Sequence, residues 1–128
     1  MKHPKVLLSP LSETLAICRL SSRSAIPLWA LSSDFFSLTR TSEELSIVCP
    51  QASVPSDIQC ERDWRCVKVQ GPIDFATTGV LASLTEPLAQ AQISFFAIST
   101  YDTDYVLVKE ENLNRALHAL KETGHEIV

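Results

Sequence analysis

The chain has 128 residues, 45% hydrophobic and 20% charged, with a formal net charge of −4. That length fits one domain or two very small ones. No run of about 18 apolar residues exists, which argues against a transmembrane helix, and Lys and Arg do not cluster as a nucleic-acid surface requires.

The opening stretch MKHPKVLLSPLSETL is basic, but Ser9, Pro10, Ser12 and Glu13 interrupt its apolar run too early for a secretory signal. The reading is a cytoplasmic protein. ETLAICRL (13–20) has the composition of a strand, and SAIPLWALSSD (24–34) that of a short helix or turn interrupted by Pro27. FFSLTRTSEELSIVCP (35–50) alternates apolar and polar residues on either side of TRTSEE, which predicts a hairpin. VPSDIQCERDW holds at most one helical turn.

DWRCVKVQGP (63–72) is rich in strand formers, and Gly71 and Pro72 end it. The period then changes. In residues 76–92, Leu81, Leu84, Leu88 and Ala91 fall on one helix face, with Thr77 or Thr78 as N-cap and a kink expected at Pro87. ISFFAIS (93–99) predicts a strand covered on at least one face. A polar corner of Tyr101, Asp102, Thr103 and Asp104 follows, and then the strand YVLV (105–108). KEENLNRALHALKETG predicts a helix, with Glu110 and Glu111 at its start, Lys121 near its end and Gly124 at a left-handed cap. HEIV closes the chain as a strand.

The second half therefore reads β-α-β-β-α-β, and the first half looks like the same order with both helices eroded. The fold class is α+β: two ferredoxin-like units in tandem, residues 10–62 and 63–128. The apolar load of ISFFAIS and YVLV exceeds what one small unit covers alone, which predicts that the two units share one interface. A chain this small also leaves apolar surface to cover, which predicts a homodimer with an isologous interface.

Chemistry-bearing residues are few. Cys18, Cys49, Cys60 and Cys66 form no Cys-x-x-Cys pair, and His3, His118 and His125 lie far from them in sequence, so no metal site is expected. The cysteines read as reduced thiols acting as small hydrophobes, with a Cys60–Cys66 bridge as the lesser alternative. His118 and His125 read as solvated or structural, and Trp29 and Trp64 as core or interface anchors. No nucleophile-base pair and no glycine-rich phosphate cradle is present, so no catalytic residue, cofactor or enzymatic activity is expected. Asp102 and Asp104 read either as turn residues or as acceptors. Gly79 reads as a helix–sheet packing position or a point of close backbone approach, and Tyr101 as a half-buried turn aromatic.

From GPIDFATTGVLA through STYDTDYVLV to the end of the last helix, the chain resembles an ACT domain. The resemblance is to small tandem-ACT proteins related to aspartate kinase regulatory regions and to CASTOR-type arginine sensors. It covers about 55 residues strongly, and FFSLTRTSEELSIVCP resembles the hairpin of a first ACT unit. It implies a regulatory protein that binds an amino acid or similar metabolite and passes its state to a partner protein, without nucleic acid or membrane. The alternative it leaves is an assembly module whose ACT fold only dimerises. The implied site has two walls. Asp74, Thr77, Thr78, Gly79 and Val80 form the helix start, where amides suit a carboxylate. Ser99, Thr100, Tyr101, Asp102 and Asp104 form the corner, with Asp104 matching the aspartate that takes the ammonium. The arginine sensors carry an acidic group just before the helix glycine. Thr77 and Thr78 stand there in this chain, so the resemblance points to an amino acid without specifying arginine.

Overall fold

The computed structural model describes residues 4–128; His3 lies outside them. Among the described residues, seven strands and two α-helices divide between two compact units, one formed by residues 4–12 with 65–128 and the other by residues 13–64. Strands β1 (Leu7–Leu20) and β4 (Cys60–Val69) each contribute residues to both units.

The unit of residues 13–64 holds strands in the order β2-β3-β1-β4. Strand β2 is Ser37–Arg40 and β3 is Leu45–Pro50. The predicted hairpin forms with Arg40 facing Leu45. Its turn is held by the Thr41 hydroxyl, which accepts from the amides of Glu43 and Glu44. Where helices were expected to be eroded, only short 3-10 turns occur, at Leu28–Leu31 and Gln51–Ser53. Ala16, Cys18, Leu45, Ile47 and Cys49 make its core, with Trp29 packed against it. Trp64, at the end of this unit, is also buried.

The other unit is α+β, with strand order β7-β1-β4-β6-β5. Helix α1 (Val80–Gln90) and helix α2 (Leu113–Glu122) supply its helical layer. Both apolar stripes face inward. Leu84, Leu88, Ala116 and Leu120 are buried, and Leu81, Leu113 and Leu117 pack at the margin. Pro87 sits inside α1, which continues to Gln90. Gly124 adopts φ +101° as the left-handed cap, where an added Cβ would also meet the Lys5 side chain at 2.9 Å.

Several boundaries differ from the sequence reading. Helix α1 starts at Val80 with Gly79 as N-cap, and neither Thr77 nor Thr78 caps it. The cause is local: the Asp74 carboxylate and carbonyl take the amides of Ala76 and Thr77 and fold those residues into a separate turn. Glu110 and Glu111 stand in a 3-10 turn ahead of α2. Strand β5 (Phe95–Ser99) ends the sheet order, and its side chains are exposed or half-buried, so ISFFAIS is covered less than its composition suggests. Strand β6 runs Asp104–Lys109. Strand β7 (Glu126–Ile127) runs parallel to β1, with Leu7 facing Glu126. Strand β1 begins six residues earlier than ETLAICRL implies.

His125 is buried, not solvated. Its Nδ1 accepts from the Val6 amide at 3.1 Å and its Nε2 donates to the Ser83 carbonyl at 3.0 Å. Those two bonds select one neutral tautomer and tie the first strand to α1. His118 is exposed and lies 3.7 Å from Glu122.

Candidate functional site

Two backbone segments of the α-helical unit meet beside the start of α1. The first runs from Gly71 to Gly79. Its Ile73 amide donates to the Asp102 carbonyl at 2.7 Å. Gly71 is required by proximity, since an added Cβ would stand 3.1 Å from the Thr103 Cβ and 3.2 Å from the Asp102 carbonyl oxygen. Gly79 is required by conformation: at φ +84° it turns the chain into the helix. Neither of the two roles considered from sequence accounts for it as directly.

The second segment is the polar corner between β5 and β6. Ser99 and Asp104 face each other across the ladder. The Thr100 amide donates to the Thr103 carbonyl at 2.8 Å, and the Thr103 amide to the Thr100 hydroxyl at 3.3 Å. The buried Thr103 hydroxyl donates to the Val69 carbonyl at 2.7 Å, which anchors the corner to β4. The Ser99 hydroxyl donates to the Asp104 carboxylate at 2.6 Å and orients it.

Between the segments lies a cleft of about 250 Å³. Asp74, Thr77, Gly79, Val80, Ser99, Thr100, Tyr101, Asp102 and Asp104 all line it, and Thr78 does not. Ile73, Phe75, Leu81 and Thr103 also line it and were missed in the sequence. Phe75 carried a signal: it is an aromatic in a polar loop with no apolar neighbour pattern to bury it. Its ring meets Tyr101 edge-on, with centroids 4.8 Å apart. Tyr101 is 80% exposed, which corrects the half-buried reading. Its neighbour at the rim is another exposed aromatic, not the core.

The cleft has opposed electrostatics. Helix α1 begins without a side-chain cap, so its first amides and the positive end of an 11-residue dipole stand at one wall. Three carboxylates, those of Asp74, Asp102 and Asp104, also line it, and no Lys, Arg or His does among the described residues. The volume lies below the roughly 300–1,000 Å³ typical of drug-sized or cofactor ligands, and suits a molecule of amino-acid size. Among the described residues no group of three His, Cys, Asp or Glu is arranged to hold a metal ion, and no helix is long and apolar enough to cross a membrane.

Comparison with known proteins identifies the family. An ACT domain family model matches residues 59–122, and a model of an N-terminal domain matches residues 13–57. The human cytosolic arginine sensor for mTORC1 subunit 1 is 33% identical over 95 residues, which is 68% of this chain and 29% of that protein. The chain thus spans less than a third of that sensor's length. A solved protein of Agrobacterium tumefaciens superposes with a TM-score of 0.93 at 39% identity, over 98% of this chain and 93% of that one. The regulatory subunit of aspartate kinase from Thermus flavus shares the fold, with a TM-score of 0.61 at 13% identity over 96% and 99% of the two chains. The chain belongs to the ACT domain family.

Proposed function

We propose that this chain is a regulatory protein without catalysis that binds a free amino acid, or a similar small metabolite, in the cleft beside α1. One observation carries the reading: an uncapped helix start and the Ser99-oriented Asp104 carboxylate line the same small cleft. The amides suit a ligand carboxylate, and Asp104 suits its ammonium through a charge-assisted bond. Similarity to a cytosolic arginine sensor and to an aspartate kinase regulatory subunit supports a sensing role. Asp74, Thr77, Gly79, Val80, Ser99, Thr100, Tyr101, Asp102 and Asp104 are the proposed ligand-binding residues; Thr78, expected among them from the sequence, lies outside the cleft.

The wider organisation is part of the same proposal. Along the sequence we take residues 10–62 and 63–128 as two ferredoxin-like ACT repeats in tandem, the first with eroded helices. In space, residues 10–12 group with the second and residues 63–64 with the first. The protein is a cytoplasmic homodimer that signals its ligand state to a protein partner. Exposed Leu28 and Phe36 support association, because their apolar surface is otherwise left to water.

Isothermal titration against each free amino acid tests the function. Saturable binding of at least one supports it. No binding across the set favours the assembly reading, in which the cleft is vestigial. Light scattering tests the dimer, and a monomer at high micromolar concentration would overturn it.

A further inference from the structure

Three of the four cysteines share one face of the helix-poor unit, and the cleft beside α1 uses none of them. Cys18 lies on β1, Cys49 on β3 and Cys60 at the start of β4, each a free thiol. The β1–β3 register sets Ala16 opposite Cys49 and Cys18 opposite Ile47. Cys18 and Cys49 are therefore diagonal neighbours, with backbones roughly 7–8 Å apart.

On the other side of β1, the Arg19 amide donates to the Gln59 carbonyl at 3.0 Å. One residue back on β1 and one forward on β4 stand Cys18 and Cys60. That is the relation of directly opposed residues in an antiparallel, non-hydrogen-bonded pair, where Cα atoms are about 4.5 Å apart. A disulfide spans about 4.4–6.8 Å between Cα atoms, so Cys60 fits as the partner of Cys18 and the diagonal Cys49 does not. Cys66 belongs to the other unit. Access differs as well: Cys18 is 2% exposed, and Cys60 is only partly covered.

We propose that Cys18 and Cys60 are an oxidisable thiol pair, a modification site that hydroperoxides convert to a disulfide. With hydrogen peroxide, the Cys60 sulfur attacks one oxygen, the O–O bond breaks, one water leaves (an alcohol when the oxidant is an organic hydroperoxide) and Cys60 becomes a sulfenic acid. The Cys18 sulfur then attacks the Cys60 sulfur and displaces its hydroxyl as a second water. Two electrons pass from the two thiols to the peroxide, and the two thiol protons end on the waters. Burial raises the Cys60 thiol above its ordinary value, so thiolate is scarce near neutrality and the reaction speeds as pH rises. The bond to Cys49 raises Cys18 further, ahead of burial itself.

The test treats the reduced protein with hydrogen peroxide and maps its peptides without reductant. The expected product joins the peptides of Cys18 and Cys60. Cys18→Ser should leave a Cys60 sulfenic acid that dimedone traps. Cys49→Ala should speed the linkage, and raising the pH from about 7 to about 9 should speed it by about tenfold per unit below the thiol pKa. Linkage of either cysteine to Cys49 or Cys66 would overturn the proposal. So would Cys60 oxidised to sulfinic acid beside a reduced Cys18, or four thiols that stay reduced.

Discussion

The two compact units share an all-strand framework of similar order, β2-β3-β1-β4 in one and β1-β4-β6-β5 with β7 in the other, but only the second carries α-helices. The first contains only 3-10 turns of three or four residues, whereas the second contains helices of 10 and 11 residues. Turns that short have no accumulated dipole and no row of unbonded amides. In the helix-bearing unit the start of α1 and a strand corner with carboxylates line one cleft. The helix-poor unit instead packs small side chains, among them three cysteines, against its sheet. Helix retention and candidate site thus go together, and four measurements can break or sharpen that association.

The largest expected effect is on the helical layer itself. Leu84 is 1% exposed in the α1–α2 core, so Leu84→Ala should lower stability by about 2–5 kcal/mol. Chemical denaturation measures it. A loss below about 1 kcal/mol would mean the helices are accessory to the unit they cover.

Next comes an alkaline limb from β4. Burial pushes the Cys66 thiol from 9.0 up to about 12. A raised folded value means the contribution is fully present below pH 9, the unfolded value, and is lost as pH climbs toward about 12. Each unit in that window removes about 1.4 kcal/mol, because the unfolded thiol ionises while the folded one stays neutral. Cys66→Ala should flatten this limb of the pH–stability curve; an unchanged slope would assign the loss to other groups.

The ligand test is third. Asp104→Asn keeps an oxygen for the Ser99 hydroxyl but removes the charge. A charged hydrogen bond contributes about 1.5–3 kcal/mol, so affinity for the amino acid found by titration should fall by about one to two decades. Stability should barely move. Equal affinity in the Asn variant would make Asp104 a turn residue.

The smallest expected effect separates conformation from contact at the helix start. Gly79→Ala forces a side chain into φ +84°, at a cost of about 1–2 kcal/mol. Thermal unfolding would show it. A neutral result would mean the turn into α1 relaxes easily and does not depend on glycine.

Much of the site was legible because its walls are local. STYDTD is a corner between two short apolar runs, and TTGV opens an apolar helical stripe, so turn chemistry and periodicity mark both within a few residues. Thr78 drops out of the lining where the Asp74 turn delays the helix by one or two residues. Phe75 and Thr103 enter it because the Ile73–Asp102 and Thr103–Val69 bonds draw the segments together, and neither bond has a signature in local sequence.

By itself the sequence determined the elements whose stabilising contacts lie within one turn or one hairpin. These are the stripes of α1 and α2, the Thr41 turn, the Gly124 cap and the shortage of helix before residue 60. Tertiary structure alone decided what depends on partners far along the chain. Leu7 and Leu8 join the strand beside β7, which lies at the far end of the chain. His125 becomes a buried clamp because the Val6 amide and Ser83 carbonyl converge on its ring. Cys18 stands opposite Cys60 and not Cys66 because the Arg19–Gln59 bond sets the register of β4 against β1. In each case the deciding interaction is a hydrogen bond across the fold, and a single chain read in order carries no local mark of which distant group will complete it.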